Sequence, residues 1–356
     1  MAWSWNESGR IDSFYFEKIS PKDLNTSLGS LDCLVIGGTI NYSYYSDLKV
    51  SGELQVINAK SSMSEEEYLI RIWYTPSLNG ETQKIKIGTF YFTADLHYEN
   101  GMYRGTVQLR SLLARHIDDV TVQKWTLSKN KLASTCFKNV FSALGGFPLI
   151  NGIVDKKISK QHVFDVGVTP MSILQYIADY VGGEITVNPH GQTVLQKYLS
   201  PSNKKKNISH YVTANAKSVV KPGIDISNSI KEIPNRVVCV YESQTGKKTT
   251  QYIGKAALAA KEARSYQNTG KWTTVYYNIS NCKKPYVKNL KAKAKQYLTS
   301  LNHKTIYYEF DTYYQPIEIG EVIQLKYDGI TVNGLVSDID LSLEVGANMH
   351  VKIRKV

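Results

Sequence analysis

The chain has few of the residue arrangements on which metal, redox and covalent chemistry depend. Its four cysteines, Cys33, Cys136, Cys239 and Cys282, lie far apart. They form no Cys-x-x-Cys pair and no zinc-ligand spacing, so they read as buried free thiols of a protein folded in a reducing compartment. The seven histidines are His97, His116, His162, His190, His210, His303 and His350. None forms His-x-x-x-His or His-Glu-x-x-His, which excludes the helical zinc-hydrolase signature. The nucleophile elbow Gly-x-Ser-x-Gly, the P-loop and Gly-x-Gly-x-x-Gly are also missing. No apolar run approaches the ~20 residues that span a bilayer. Met1-Ala2-Trp3-Ser4-Trp5 lacks the basic and apolar regions of a secretory leader. The expectation is no Sec-type export, no membrane insertion by this chain, and release from the producing cell by another route such as lysis.

A hydrophobic share of 42% and a charged share of 21% over 356 residues are those of a folded chain of two or three domains. Tyrosine stands out, at 25 against 9 phenylalanines. Its ring is apolar and its hydroxyl polar, which suits strands, rims and subunit contacts. The formal net charge is +12, unevenly spread: residues 1–120 hold 11 Lys and Arg against 15 Asp and Glu, and the remainder 32 against 16. Lys204-Lys205-Lys206, Lys247-Lys248, Lys283-Lys284 and the lysines from Lys288 to Lys295 carry much of the excess. Such a surface attracts nucleic acid, anionic envelope polymers or an acidic partner, or is simply a solvated face.

Period-two alternation dominates both ends of the chain, the mark of antiparallel strands with one face on a core. Near the N-terminus Ile40, Tyr42 and Tyr44 alternate with polar residues, as do Leu54 and Val56, Ile70, Ile72 and Tyr74, Phe90 and Phe92, and Val107 and Leu109. Asn79-Gly80 and Asn100-Gly101 punctuate them. At the C-terminus Ile339, Leu341 and Leu343 alternate with Asp338, Asp340 and Ser342, and Met349, Val351 and Ile353 with His350, Lys352 and Arg354. Between lie helical patterns. Leu132, Cys136, Val140, Phe141 and Leu144 share one face before Gly145-Gly146. Thr169 is placed to cap a helix with Pro170 first, a stripe of Ile173, Leu174, Ile177 and Val181, and a stop at Gly182-Gly183. Ile185–Val187 and Val194-Leu195 flank the turn Asn188-Pro189-His190-Gly191, and a polar link runs from Ser200 to Asn207. Arg236–Tyr241 reopens β structure. The alanine-rich Ala256–Ala263 reads as helical, and Pro285 begins a basic helix with Leu290, Ala294, Leu298 and Leu301 on one side. Strands resume at Thr305-Ile306-Tyr307-Tyr308.

Two polar clusters invite a chemical reading. His116 lies beside Asp118 and Asp119, but a polar strand end at a domain boundary is the favoured explanation. Glu65-Glu66-Glu67 offers carboxylates to a cation, but three adjacent side chains do not converge on one point, which favours a solvated loop. No catalytic residue, metal ligand or cofactor site is assigned. Lysines interleaved with tyrosines track phosphates and stack bases, yet no RNP-type strand, helix-turn-helix or zinc finger provides specific recognition.

The order of these elements resembles the tail hub proteins of long-tailed bacteriophages, also called baseplate hub or tail-associated proteins. The strings that carry the resemblance are Gly37-Gly38 leading into Ile40-Asn41-Tyr42-Ser43, Ser51-Gly52-Glu53-Leu54, Ile70-Arg71-Ile72-Trp73, Gly88-Thr89-Phe90-Tyr91-Phe92, Asn235-Arg236-Val237-Val238, Pro316–Gly320 and Leu335–Ile353. They span nearly the whole chain. Type VI secretion spike proteins share the architecture. The resemblance implies a mainly β fold with α+β insertions: two small antiparallel β-barrel domains plus two small α+β domains. Mapped here, these are a first ring domain at 1–118, an α+β domain at 119–207, a discontinuous second ring domain at 208–243 and 305–356, and an inserted α+β domain with a basic helix at 244–304. It further implies a homotrimer whose six barrels form a pseudo-sixfold ring around a DNA channel. That ring would join a sixfold tail tube or distal tail protein to a threefold tip spike or fibre. Tape-measure protein and DNA would pass through without sequence-specific binding, in a virion tail assembled in the host cytoplasm. The closed ring would cover exposed strand edges. The chain stops at Val356 with no hydrolase or long fibre, so no wall-degrading or receptor-binding role is expected. The basic middle domains, with Lys291, Lys293 and Lys295, are expected to face outward, away from the channel. Two other readings stay open: an envelope- or glycan-binding adhesion module with exposed tyrosines, and a hydrolase whose site assembles only in space.

Overall fold

The computed structural model describes residues 9–59, 63–64, 66–213, 220–228, 234–245, 248–279, 282–301 and 306–356. The chain is mainly β and divides into two compact units, Met1–Asp225 with Glu309–Val356 and, between them, Ile226–Tyr308. No described helix is long and apolar enough to cross a membrane. The expectations that touch Met1–Trp5, Glu65, Lys247, His303 and Thr305 lie outside the described residues.

The larger unit begins with strands β1 (Phe14–Ile19), β2 (Ser27–Ser30), β3 (Leu34–Ser43), β4 (Val50–Ala59) and β5 (Leu69–Tyr74), the short hairpin β6 (Ser77–Leu78) and β7 (Glu81–Thr82), then β8 (Ile85–Glu99) and β9 (Met102–Ser111). In β4 the side chains of Val50, Leu54 and Val56 are buried while Gln55 is exposed, as period-two alternation requires. β5 departs from alternation. Leu69, Ile70, Ile72 and Tyr74 are buried, and so is Arg71, because the strand is covered on both faces.

A region of smaller elements follows: α1 (Ala114–Asp118), β10 (Trp125–Leu127), α2 (Ala133–Leu144), β11 (Pro148–Asn151), β12 (His162–Phe164), α3 (Pro170–Val181), β13 (Gly183–Val187), β14 (Thr193–Lys197), α4 (Pro201–Lys204) and β15 (His210–Thr213). α3 forms as its sequence dictates. The Thr169 hydroxyl accepts the Ser172 amide, Pro170 sits in the first turn, Ile173, Leu174 and Ile177 are buried, and Gly182 closes the helix in the left-handed region. α2 contributes Cys136, Phe137, Val140 and Phe141 to the same core. Leu132 precedes α2 and is 41% exposed, so it is not part of the buried stripe. β13 and β14 pair antiparallel across the expected turn, and β11, which the sequence did not announce, joins β14 in parallel. The polar link contains α4, and Lys204 Nζ donates to the Gly320 carbonyl at 2.8 Å.

The smaller unit contains β17 (Arg236–Thr245), reached through β16 (Asp225–Asn228), then β18 (Lys248–Ala257), α5 (Tyr266–Thr269), β19 (Thr274–Asn278) and α6 (Tyr286–Leu301). β17 lies between β18, antiparallel, and β19, parallel. Two expectations are corrected. Arg236–Tyr241 is a strand, but it pairs inside this inserted sheet and not with the C-terminal strands. Ala256 and Ala257 end β18 instead of opening a helix, because ten consecutive residue pairs with β17 outweigh the helical preference of alanine. Leu290, Ala294 and Leu298 of α6 are buried with Val237 and Cys239.

The C-terminal strands β20 (Ile306–Tyr313), β21 (Val322–Tyr327), β22 (Ile330–Ser342) and β23 (Asn348–Lys355) return to the larger unit. β22 is the strand that unites the two ends of the chain. Ile330–Leu335 pair with β21, while Asp338–Ser342 pair with Thr39–Ser43 of β3. Through it one hydrogen-bonded sheet runs β20-β23-β22-β3-β4-β9-β8-β5-β1-β2, with β21 and β15 branching from β22. The N-terminal and C-terminal strands, expected in two small barrel domains, are hydrogen-bonded edge to edge where β22 pairs with β3.

Candidate functional site

The polar clusters singled out in the sequence do not converge. His116, in α1, is 1% exposed and stands edge-on against Phe141 with ring centroids 4.7 Å apart. Burial, with the nearby Arg115 charge, pushes its pKa down to about 4, and its Nδ1 has no hydrogen-bond partner among the described residues. Asp118 instead faces Arg110, which donates to it at 2.5 and 3.0 Å, and Asp119 accepts the Val120 amide at 2.8 Å. Glu66 and Glu67 are exposed. The other described histidines scatter. His162 stacks on Tyr176 at 4.3 Å, His210 lies 3.4 Å from Glu321, and His350 contacts Asp311 at 2.8 Å and Glu309 at 3.5 Å. Burial alone would lower the His350 pKa, but those two carboxylates hold it above the ordinary value. No group of three His, Cys, Asp or Glu side chains that could hold a metal occurs among the described residues.

The most constructed polar feature is a clamp centred on Arg71. From β5 its Nε donates to Thr89 Oγ1 at 2.9 Å, and its Nη2 donates to the carbonyls of Leu24 at 2.8 Å and His190 at 3.3 Å. The Thr89 hydroxyl in turn donates to the Pro189 carbonyl at 3.1 Å, and Lys86 Nζ meets His190 Nδ1 at 2.6 Å. The β13–β14 turn is thereby tied to β5 and β8. Gly191 fits there with φ of +93°, and a Cβ at that position would press on Thr89 and Leu112. The visible signal in the sequence was a charged residue inside the apolar run Leu69-Ile70-Arg71-Ile72. Beside the clamp a cavity of about 400 Å³ is lined by Tyr42, Ile87, Asn188, Gln196, Tyr314 and Glu318, among others. The Tyr42 hydroxyl donates to the Ile87 carbonyl at 3.1 Å. A single carboxylate and a mixed lining give the cavity no acid–base pair.

What the unit presents outward is sheet edge and apolar surface. β2 ends the sheet, pairs only with β1 among the described residues, and all four of its residues are exposed. At the far end of β3 and the β8–β9 hairpin, Leu34, Ile36, Tyr98 and Met102 are 55%, 58%, 60% and 43% exposed. Tyr98 meets Tyr103 across the strands at 4.9 Å. Open strand edges and clustered exposed apolar side chains are surfaces that pair with another chain. In the smaller unit, Lys291 and Lys295 of α6 are exposed and Lys293 is half-buried.

Neither a protein-family model nor a curated protein matches the sequence. The fold, in contrast, is found in solved structures along nearly the entire chain. A tail protein from Neisseria meningitidis MC58 is 10% identical with a TM-score of 0.64, over 96% of this chain and 97% of that one. The 43 kDa tail protein of prophage MuSo2 from Shewanella oneidensis is 11% identical with a TM-score of 0.63, over 96% and 98%. Prophage tail protein gp18 from Listeria monocytogenes EGD-e is 8% identical with a TM-score of 0.51, over 96% and 94%. The chain has the fold of phage tail proteins.

Proposed function

We propose that the chain is a structural hub of a phage or phage-derived tail, with no catalytic role of its own. The observation that carries this reading is end-to-end coverage. Two tail proteins superpose on 96% of the chain and are themselves covered to 97% and 98%, so the likeness runs the length of the compared chains and is not of one common module. Three chains form a ring. Each contributes two sheet regions, one from the strands up to residue 118 and one from β15 with the C-terminal strands, and the strand β22 links the two regions. The ring's pseudo-sixfold face meets the distal tail or tail tube protein, and its threefold face meets the tip spike or fibre. Its bore passes tape-measure protein and DNA. The exposed β2 edge and the apolar end of the β8–β9 hairpin are the surfaces that neighbouring copies cover. The mature location is the tip of the virion tail, and assembly takes place in the host cytoplasm.

The test is molar mass by light scattering across a concentration series, with negative-stain images of the same sample. A trimer with a sixfold-looking ring and a central hole is expected. A compact monomer at every concentration, with binding to cell-wall polymers by that monomer, would replace the hub by the adhesion module. Clearing of a cell-wall zymogram would overturn the non-enzymatic assignment.

A further inference from the structure

The net charge of the protein belongs to one of its two units. Residues 226–308 hold 15 Lys and Arg against 3 Asp and Glu, a net +12, while the remaining residues hold 28 of each. Thirteen of the fifteen cations are lysines. On α6 they are arranged: Lys288, Lys291 and Lys295 are exposed, and their spacing of three and four residues aligns them along one side of the helix over about 10.5 Å. Leu290, Ala294 and Leu298 occupy the buried side. α6 contains no acidic residue, and none of the three lysines forms an ion pair among the described residues. The two described acidic residues of the unit, Glu242 and Glu262, are exposed and lie on other elements.

From this we infer that α6 of the inserted unit is a docking face for a linear phosphodiester polymer of a bacterial envelope. The inference rests on the hub reading. Charge of this density calls for a polyanion, and three occupants compete. The first is an acidic protein. Protein interfaces are depleted of lysine and built on aromatic and arginine anchors in desolvated pockets, whereas this row is lysine separated by Ala292, Lys293 and Ala294. A lysine ammonium is a strongly hydrated point charge without the planar fork that recognises carboxylates. The second is the DNA passing through the hub. Every lysine–phosphate contact adds salt-dependent affinity, so a unit carrying +12 in the bore would hold the DNA that the bore must release. DNA in transit is therefore not the occupant that this lysine row suits. The third occupant is the phosphate-rich polymer that a tail meets outside the cell, which needs no fixed geometry and tolerates a diffuse lysine row.

The test uses the full chain with two probes, purified polyglycerol phosphate and a single-stranded oligonucleotide of equal phosphate count. Affinity is measured by calorimetry between about 50 and 200 mM salt. Polyglycerol phosphate is expected to bind. The triple variant K288Q/K291Q/K295Q keeps helix propensity and should lose at least tenfold in affinity, with a salt slope lower by about 2, the value for three lost contacts. K156Q/K157Q/K160Q removes three exposed lysines from the larger unit and should change neither. Equal losses in both variants would reduce the effect to global charge and overturn the site. Oligonucleotide binding more than tenfold tighter than polyglycerol phosphate would assign the row to nucleic acid, and no binding at low salt would leave an acidic protein as the occupant. Light scattering on the same samples separates the two proposals: a trimer that ignores the polymer defeats this inference alone, and a monomer that binds it defeats the hub alone.

Discussion

The two units solve the problem of building a β layer with different materials. In the larger one the sheet is lined by aliphatic side chains, with Ile40, Leu54, Ile72, Val107, Val336 and Ile353 wholly buried, and its charges balance. The core of the inserted unit lies between one three-stranded sheet and the long helix α6. Around its small core of Val237, Cys239, Leu290 and Ala294 it places Tyr241, Tyr252, Tyr277, Tyr286 and Tyr297. Tyr277 and Tyr297 lie 4.4 Å apart, and Tyr252 and Tyr286 4.6 Å. A two-layer unit of this size has little interior, so large rings whose hydroxyls still reach water fill it better than branched aliphatics. The lesson is that the overall charge and the tyrosine content are averages over unlike parts. The basic character says nothing of the sheet, and part of the tyrosine excess is a small core's substitute for leucine.

The largest effect should come from the closest approach in the inserted unit. α6 crosses β18 at Gly254, where a Cβ would overlap the Leu290 carbonyl carbon and the Lys291 amide nitrogen. These are backbone atoms that cannot rotate away, so Gly254→Val should cost more than about 3 kcal/mol. The effect should fall on one unit. Hydrogen exchange is expected to show lost protection in 236–301 with β3, β4 and β22 unchanged. Loss of protection in both units together would break the comparison and make the chain a single cooperative body.

Arg71→Met sharpens it from the other side. The substitution keeps an unbranched stem but leaves the Leu24 and His190 carbonyls and the Thr89 hydroxyl without their donor. The expected cost is about 3 kcal/mol, read as a shift of the denaturation midpoint. Because the clamp ties the β13–β14 turn to β5 and β8, proteolysis should open the 186–193 turn first, and the protection of β17 and α6 should not change. A midpoint shift below about 0.5 kcal/mol would mean that the clamp is ornamental.

Much of this was legible in the sequence because local rules and tertiary structure agree. α3 has its cap, its proline, its stripe and its glycine, each within hydrogen-bonding or packing reach of the others, so nothing distant was needed to specify it. β23 and residues 338–342 of β22 alternate because one face meets the core and the other water. Failures occur where a distant partner decides. Ala256 and Ala257 are strand because β17 lies beside them, and Arg236–Tyr241 reads as a C-terminal barrel strand until its true neighbours, 248–257 and 274–278, are known. The Arg71 clamp draws on residues 24, 71, 89, 189 and 190, which no local window contains. The exposed β2 edge was invisible for the same reason: a strand's place at the rim is a property of the sheet.

The smallest effect is a pH dependence confined to the larger unit. His116 is neutral in the folded state because burial holds its pKa at about 4, against an ordinary value of 6.5. Its folded value lies below its unfolded value, so between those limits the unfolded chain binds the extra proton. Stability is therefore full above about pH 6.5 and falls as the solution is acidified toward pH 4. At pH 5 the loss relative to pH 7.5 should be about 2 kcal/mol. His116→Phe places an apolar ring of similar size beside Phe141, removes the unpartnered Nδ1 and abolishes this term. Its urea midpoint should hold steady where that of the parent chain declines. His350 works in the opposite sense: its folded pKa is raised by Asp311 and Glu309, so its contribution is present below the ordinary histidine value and is lost as pH rises through the folded one. At 41% side-chain exposure that contribution is screened by solvent, so the buried His116 should dominate the acid limb. Equal acid sensitivity in H116F and the parent chain would place the titrating group elsewhere, and the acid response would then cease to distinguish the two units.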